Sequence, residues 1–354
     1  MMNIGLTFDL RSEYRAMGYS EEDVCEFDGE DTIAAIESAL REEGMRTERI
    51  GNVLGLVQRL ARGERWGLVF NIAEGLRGFG REAQVPCLLE AYGIPYTFSD
   101  PLALSITMHK PIAKRLVRSH GIPTPDFAVV ASEEELTTSL PAFPVFVKPV
   151  AEGTGKGIDE GSVAGSRSEL VDVVKRLVVR YAQPVLVESF LPGREITVGI
   201  VGTGSDARSV GVLEVFHNTD RFGRVYSYHV KENCEQLVYY RLASDSRAAE
   251  ASRMALDAWR ILGCRDGGRV DLRANGSGEF QFLEVNPLAG LHPTHSDLPI
   301  LWEKTGGRYR DLIGSFVCSA LSRTAWVPRT MQNGSEEAVP GGGDRVNEVL
   351  AHER

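Results

Sequence analysis

Arg269-Val270-Asp271-Leu272-Arg273, a break at Asn275-Gly276-Ser277-Gly278, and then Phe280-Gln281-Phe282-Leu283-Glu284-Val285-Asn286 decide how the rest of the chain is read. Two apolar-rich runs on either side of a group of turn formers give the pattern of two strands joined by a hairpin. Side chains alternate sides along a strand, so Arg269, Asp271 and Arg273 share one face while Val270 and Leu272 enter a core. The same rule assigns Phe280, Phe282, Glu284 and Asn286 to one face of the second strand, and Gln281, Leu283 and Val285 to the other. Antiparallel pairing then brings Asp271, Glu284 and Asn286 together. Two carboxylates and a carboxamide offer only oxygen donors, a set that suits Mg²⁺ and leaves positions for water and phosphate oxygens. Arg269, two residues before Asp271 on the same face, is placed to meet a developing oxyanion. Asn286 leads directly into Pro287-Leu288-Ala289-Gly290-Leu291, a loop that goes on to carry His292, His295, Ser296 and Asp297.

A chain of 354 residues has room for two or three domains and a substantial core. With 25% charged and 43% hydrophobic residues it reads as a soluble globular protein. The net charge of −10 argues against nucleic acid as a main partner, because phosphate binding wants clustered Lys and Arg. No apolar run approaches the roughly 20 residues of a membrane span, and no basic segment followed by an apolar signal core opens the chain. A cytoplasmic enzyme is the expectation. Cys25, Cys87, Cys234, Cys264 and Cys318 are odd in number and dispersed, which disfavours a disulfide framework and a structural zinc site.

Outward from the hairpin, the helix expected over Ala248 to Leu262 follows strands at 209–216, 195–201 and 185–188. Ser168 is expected to cap a helix bearing Leu170, Val174, Leu177 and Tyr181. The strand at 143–149 ends in Lys148, and Glu152-Gly153-Thr154-Gly155-Lys156-Gly157 follows as a glycine-rich turn. Such turns hold phosphates through backbone N–H groups. The spacing fits neither the Walker pattern nor the dinucleotide fingerprint. Pro111 after Lys110 starts a helix that stops near Gly121. Strands at 3–8 and 66–72, helices near 32–44, 56–62 and 83–92, and extended stretches at 49–54 and 93–97 suggest a small parallel α/β unit. The acidic stretch within residues 9–30 reads as a solvated surface loop.

With these motifs in view, the chain resembles ATP-grasp enzymes of the D-alanine–D-alanine ligase type, over about residues 67 to 315. The resemblance implies a fold of mixed α/β and α+β class. An N-terminal parallel α/β domain (1–100) would precede two α+β subdomains (101–192 and 193–328) that clamp ATP between them, with a disordered tail at 329–354. By the same resemblance Lys110 and Lys148 contact ATP phosphates, and the loop with Glu152, Gly153, Thr154, Gly155 and Gly157 folds over them. Glu188, Phe190 and Leu191 match the adenine hinge and Glu195 the ribose acid. Tyr226-Ser227-Tyr228-His229-Val230-Lys231 resembles a mobile loop whose lysine, Lys231, closes on the phosphates. Asp271, Glu284 and Asn286 match ligands of two Mg²⁺ ions, with Mn²⁺ as a substitute ion, while Arg269 and the Gly290 N–H match the oxyanion site. ATP would act as co-substrate, and a homodimer is implied by the family alone.

The chain departs from the family around the first substrate. Thr7-Phe8-Asp9-Leu10-Arg11 stands where a glycine-rich motif with an ammonium-binding glutamate is expected, and Glu26 or Asp28 is the candidate substitute. Glu74 replaces a histidine, Thr154 a serine and Glu232 a tyrosine. Ser296, or His295 if no residue is inserted, corresponds to the serine that receives the acceptor's carboxylate. The expected function is an ATP-dependent carboxylate–amine ligase working through an acyl phosphate on amino-acid-like substrates other than two D-alanines. The alternatives are D-alanine–D-alanine ligase itself, and an ATP-dependent carboxylate kinase or nucleotide-binding protein without amide formation.

Overall fold

A computed structural model of the chain describes residues 2–137, 139–217 and 238–324. The chain opens with β1 (Asn3–Phe8), α1 (Arg11–Ala16), α2 (Glu30–Glu42), β2 (Arg46–Gly51), α3 (Val53–Ala61), β3 (Leu68–Ile72) and α4 (Gln84–Ala91). The strands form a parallel sheet in the order β2-β1-β3, extended by one parallel bridge from Tyr96 to Val69. β1 and β3 are apolar runs because both faces of this sheet are covered. Ile33, Ile36 and Leu40 of α2 seal one side, and Leu56 and Leu60 of α3 with Leu89 of α4 seal the other.

Two expectations fail in this unit. Val53 and Leu54 are helical, because the Asn52 side chain caps α3 by accepting from the N–H groups of Leu54 and Gly55 at 3.1 and 3.2 Å. Residues 9–30 are not a solvated loop. Val24 and Phe27 are buried with Tyr14, whose ring lies 4.6 Å from that of Phe27. The acids between them drew attention to charge and concealed this small core.

α5 (Pro101–Met108), absent from the sequence reading, is capped by Asp100 and runs into α6 (Lys110–Ser119). β4 (Phe127–Val130), β5 (Val145–Pro149), β6 (Val163–Ala164), α7 (Arg167–Tyr181) and β7 (Val185–Ser189) follow. Their strands make an antiparallel sheet in the order β4-β7-β5-β6, with Leu170, Val174 and Leu177 of α7 in its core. Ser166, not Ser168, caps α7, accepting from the Glu169 N–H.

The last unit holds β8 (Glu195–Val201), β9 (Arg208–His217), β10 (Val238–Leu242), α8 (Ser246–Ile261), β11 (Gly267–Ala274), β12 (Phe280–Asn286), α9 (Asp297–Lys304) and α10 (Tyr309–Thr324). Its antiparallel sheet runs β10-β9-β8-β11-β12, backed by the alanine face and Trp259 of α8. α10 returns to the first sheet, packing Leu312, Ile313, Phe316 and Val317 beside Ile33 and Leu40. The 226–231 loop and the tail from 329 lie outside the described residues. Among the described residues no helix is long and apolar enough to cross a membrane.

The hairpin corrects the face assignment made for β12. Asp271 pairs with Glu284, but the next pair is Leu272 with Phe282, so Leu283 is an extra residue in the ladder. A bulge of this kind shifts the alternation by one. Phe280 and Phe282 therefore enter the core with Leu272, while Glu284 and Asn286 stay on the opposite face with Asp271 and Arg269.

Candidate active site

The inner faces of the two antiparallel sheets enclose a cavity of about 120 Å³ lined by Phe146, Lys148, Glu188, Phe190, Leu191, Glu195, Leu283 and Arg273, among others. Lys148 on β5 and Glu188 on β7 lie diagonally across this antiparallel pair. Lys148 Nζ lies 3.1 Å from Glu188, and Lys114 Nζ approaches the other carboxylate oxygen at 2.9 Å. Burial alone would raise the Glu188 pKa, but Lys114 and Lys148 outweigh it and hold the carboxylate below its ordinary range. Lys114 is fully buried, and burial pulls its pKa down to about 8 against the opposing pull of Glu188. Glu195 is paired with Arg273 at 2.8 Å. The Phe190 N–H is committed to the Pro144 carbonyl at 3.1 Å.

At the junction of β11 and β12, Asp271 and Glu284 face each other in register and the Asn286 amide donates to Asp271 Oδ2 at 3.0 Å. Thr197 Oγ1 donates to the other oxygen of Asp271. Burial first, and then the Glu284 charge, push Asp271 up to about 6 despite Arg269. Burial would also raise Glu284, yet Lys110 at 3.5 Å, Lys148 at 3.9 Å and then Arg269 bring it to about 2. Two carboxylates held against each other, with a carboxamide beside them, form an all-oxygen donor set whose mutual repulsion a divalent cation would relieve. The residues fit such an ion.

The glycine-rich turn follows β5. Gly157 has φ +75°, and a Cβ there would stand 2.8 Å from the Pro149 ring, so glycine is required. Thr154, at φ +50°, lines both the cavity between the sheets and a second one of about 490 Å³. This larger space reaches Asp28, Glu74 and Glu82 on one side and Gly290, His295 and Ser296 on the other. Arg269, Glu284, Asp297 and Thr154 line both cavities, so the two meet at the oxygen-donor pair.

The far wall of the larger cavity is acidic. Burial is the first cause raising Asp28 and Glu82 to about 7 each, and it raises Glu74 well above the usual carboxylate range, with Glu82 and Glu26 adding to the effect. Asp9 is not among the lining residues. Its carboxylate is buried, accepting from Tyr14 Oη at 2.5 Å and from the Gly75 N–H at 2.8 Å, which fixes the ends of β1 and β3 to each other. Glu26 also borders the cavity, but its oxygens are engaged: Arg81 lies at 2.7 Å and the Gly153 N–H donates at 2.9 Å.

On the opposite wall a Cβ at Gly290 would stand 2.8 Å from Ser296 Oγ, so the absence of a side chain lets the loop close on itself. Ser296 Oγ accepts from the His292 N–H at 3.0 Å, the His292 and His295 rings stack at 4.3 Å, and His292 meets Asp31 at 3.0 Å. Lys231 and Glu232 lie outside the described residues.

Gly157 lines neither cavity and packs on Pro149, but the structure brings the other described candidates named from the sequence to the two cavities, and adds four. Lys114 lies one helical turn from Lys110, a spacing that was legible. Phe146 and Leu283 are apolar walls of the smaller cavity, and no local pattern marks them apart from core residues. Arg81 is a buried guanidinium whose partner is distant in sequence, so only the fold reveals it.

Residues 116–318 match the family model described as D-ala D-ala ligase C-terminus. An uncharacterised protein, y4sG, from Sinorhizobium fredii is 33% identical over 306 residues, covering 82% of this chain and 87% of its own. The D-alanine–D-alanine ligase of Xylella fastidiosa is 33% identical over 281 residues, covering 77% and 88%. Among solved structures, D-alanine–D-alanine ligase from Bacillus anthracis complexed with ATP superposes with a TM-score of 0.69 at 20% identity, covering 92% of this chain and 99% of its own. VanG D-Ala:D-Ser ligase from Enterococcus faecalis gives 0.69 at 19%, covering 90% and 99%. With a cleft between two antiparallel sheets and a matching family model over more than half its length, the chain belongs to the D-alanine–D-alanine ligase family of ATP-grasp enzymes, ATP-dependent ligases that form carbon–nitrogen bonds.

Proposed function

We propose that the chain joins two D-alanines: ATP phosphorylates the carboxylate of the first, and the amine of the second displaces phosphate to form the peptide bond. The observation that carries the reading is the shared wall of the two cavities. Thr154, Arg269, Glu284 and Asp297 border both, so a nucleotide in the smaller one presents its terminal phosphate where a carboxylate in the larger one can reach it. D-Alanine is the substrate named for relatives a third identical to this chain.

In this reading Glu188, Phe190, Leu191 and Glu195 hold the nucleoside, and Lys110 and Lys148 hold its phosphates. The glycine-rich turn from Glu152 to Gly157, its Gly153 N–H held by Glu26, folds above them. Asp271, Glu284 and Asn286 would hold Mg²⁺, two ions by family analogy, which neutralises charge on the transferring phosphoryl group. Arg269 and the Gly290 N–H face the oxyanion that forms when the amine attacks. Asp28 and Glu74 take the first substrate's ammonium, and Ser296 with His295 takes the second substrate's carboxylate. Lys231 is the candidate that closes on the phosphates. Positioning and charge neutralisation do the catalytic work, and no protein nucleophile is needed.

A second reading, a different amino acid as donor, is favoured by Glu74 and by the Thr7–Arg11 stretch, where the family resemblance breaks. The two are separated by ADP release with Mg-ATP over a panel of D- and L-amino acids, amines and small carboxylates, with products identified by mass. D-Alanyl-D-alanine formed with D-alanine alone is the expected result. Release that needs another carboxylate, with a product equal to two substrates less water, would overturn D-alanine as the donor and leave the ligase standing.

A further inference from the structure

Glu26 lies in the acidic segment that precedes α2, far in sequence from the glycine-rich turn, yet two of its contacts reach the turn directly and a third, Arg81, reaches the residue before it. Its Oε1 accepts from the Gly153 N–H at 2.9 Å, and Lys156 of the same turn approaches that oxygen at 3.8 Å. Its Oε2 binds Arg81 at 2.7 Å, and Arg81 reaches on to the Ala151 carbonyl at 2.9 Å. The Glu26 and Arg81 side chains are 7% and 6% exposed, so water competes little with either bond. A Cβ at Gly153 would stand 3.3 Å from the Glu26 carboxylate, which shows how closely the two segments abut. A second attachment lies on the outer side, where Glu22 meets Arg180 and Tyr181 at the end of α7. The turn is thus held from the N-terminal segment at Gly153 and Lys156 and, through Arg81, at Ala151 beside it, while Glu22 holds the end of α7.

We propose that Glu26, with Arg81, is a positioning residue that clamps the glycine-rich turn from the donor side, setting the turn's backbone N–H groups for the nucleotide phosphates. Glu26 touches no reacting atom in this reading. It acts through Gly153 and, by way of Arg81, through Ala151. The assignment rests on the ligase reading for its kinetic consequence but not for its structural one. A backbone held by a buried carboxylate is preorganised for phosphate, while a free glycine-rich turn must be ordered at each binding event.

The test compares Glu26→Gln, which keeps an oxygen for the Gly153 N–H but loses the charge that holds Arg81, with Glu26→Leu, which loses both. Hydrogen–deuterium exchange of residues 151–158 in the nucleotide-free protein is expected to quicken in Gln and further in Leu. The KM for ATP is expected to rise roughly tenfold and more in the same order, with the amino-acid KM little changed. Arg81→Lys, a variant that retains a cation, is expected to sit between wild type and Glu26→Gln. Unchanged exchange at 151–158 in folded variants would overturn the proposal. So would a rise in the amino-acid KM alone, which would make Glu26 a substrate ligand. Because the exchange experiment needs no substrate, it reads the clamp even if the ligase reading fails. If Glu26→Leu does not fold, Glu26→Gln and Arg81→Lys carry the comparison.

Discussion

The two ends of the active cleft treat charge in opposite ways. At the end proposed to hold the nucleotide, the carboxylates have cations within reach: Glu188 lies between Lys114 and Lys148, and Glu284 faces Lys110 and Lys148. At the donor end Asp28, Glu74 and Glu82 crowd one another, with Arg81 drawn off by Glu26. The first arrangement stands complete before any ligand arrives, and its pairs hold carboxylates ionised. In the second, burial outweighs the pull of Arg11 on Asp28 and of Arg81 on Glu74 and Glu82, so the acids favour their protonated forms until a cation such as a substrate ammonium arrives. In the proposed reading, therefore, the nucleotide end is charge-paired before a ligand arrives, while donor recognition depends on protonation.

The largest effect should come from the oxygen-donor pair. Asp271→Asn or Glu284→Gln is expected to cut ATP turnover by on the order of a hundredfold to a thousandfold with the fold intact, as seen by ADP release beside circular dichroism. Near-normal turnover in either variant would remove the pair from the site. Next in size, Lys114→Met deprives Glu188 of one of its two cations, and a loss of about 3 kcal/mol in urea unfolding is expected. An unchanged midpoint would show that Lys148 alone suffices, and the contrast between the two ends would weaken.

At the donor end, Glu74→Gln is expected to raise the amino-acid KM by about tenfold while leaving the ATP KM unchanged, the loss of one charged hydrogen bond. Equal changes in both would mean that the two ends are not separate in function. The smallest effect concerns pH. Asp28 and Glu82 titrate near 7 in the folded protein, above the range of an unfolded carboxylate. Between about pH 4 and 7 the folded state binds the extra protons, so these groups cost stability that appears as pH rises through that window. The ligand-free protein is expected to melt a few degrees higher at pH 6 than at pH 8, and Asp28→Asn with Glu82→Gln should flatten the difference. Donor binding should run the other way, with KM falling from pH 6 to 8 as the acids ionise. A melting temperature independent of pH from 6 to 8 would mean that the wall is already neutralised by the protein itself.

Most of the nucleotide end was legible because its residues sit on regular elements. Lys148, Glu188 and Asp271 occupy strands whose apolar patterns mark their faces, and the glycine-rich turn announces itself by composition. The donor end was not legible for the same reason in reverse. Its wall is built from the loop after β3 and from residues 20–31, where no period assigns direction. Glu26 and Asp28 were named together as substitutes for one role, yet the structure turns one toward Arg81 and Gly153 and leaves the other in the cavity wall. The Leu283 bulge is the subtlest case, since strict alternation placed Phe280 and Phe282 beside Glu284, and a single inserted residue separates them.

The sequence by itself determined the mixed α/β class, the strand and helix order around the hairpin, and the pairing of Asp271 with Glu284 and Asn286, because local periodicity and turn chemistry act over a few residues. Only the tertiary structure decided which acids are paired and which are crowded. A carboxylate's partner is set by contacts such as Glu26 to Gly153, 127 positions apart, and no local pattern encodes them.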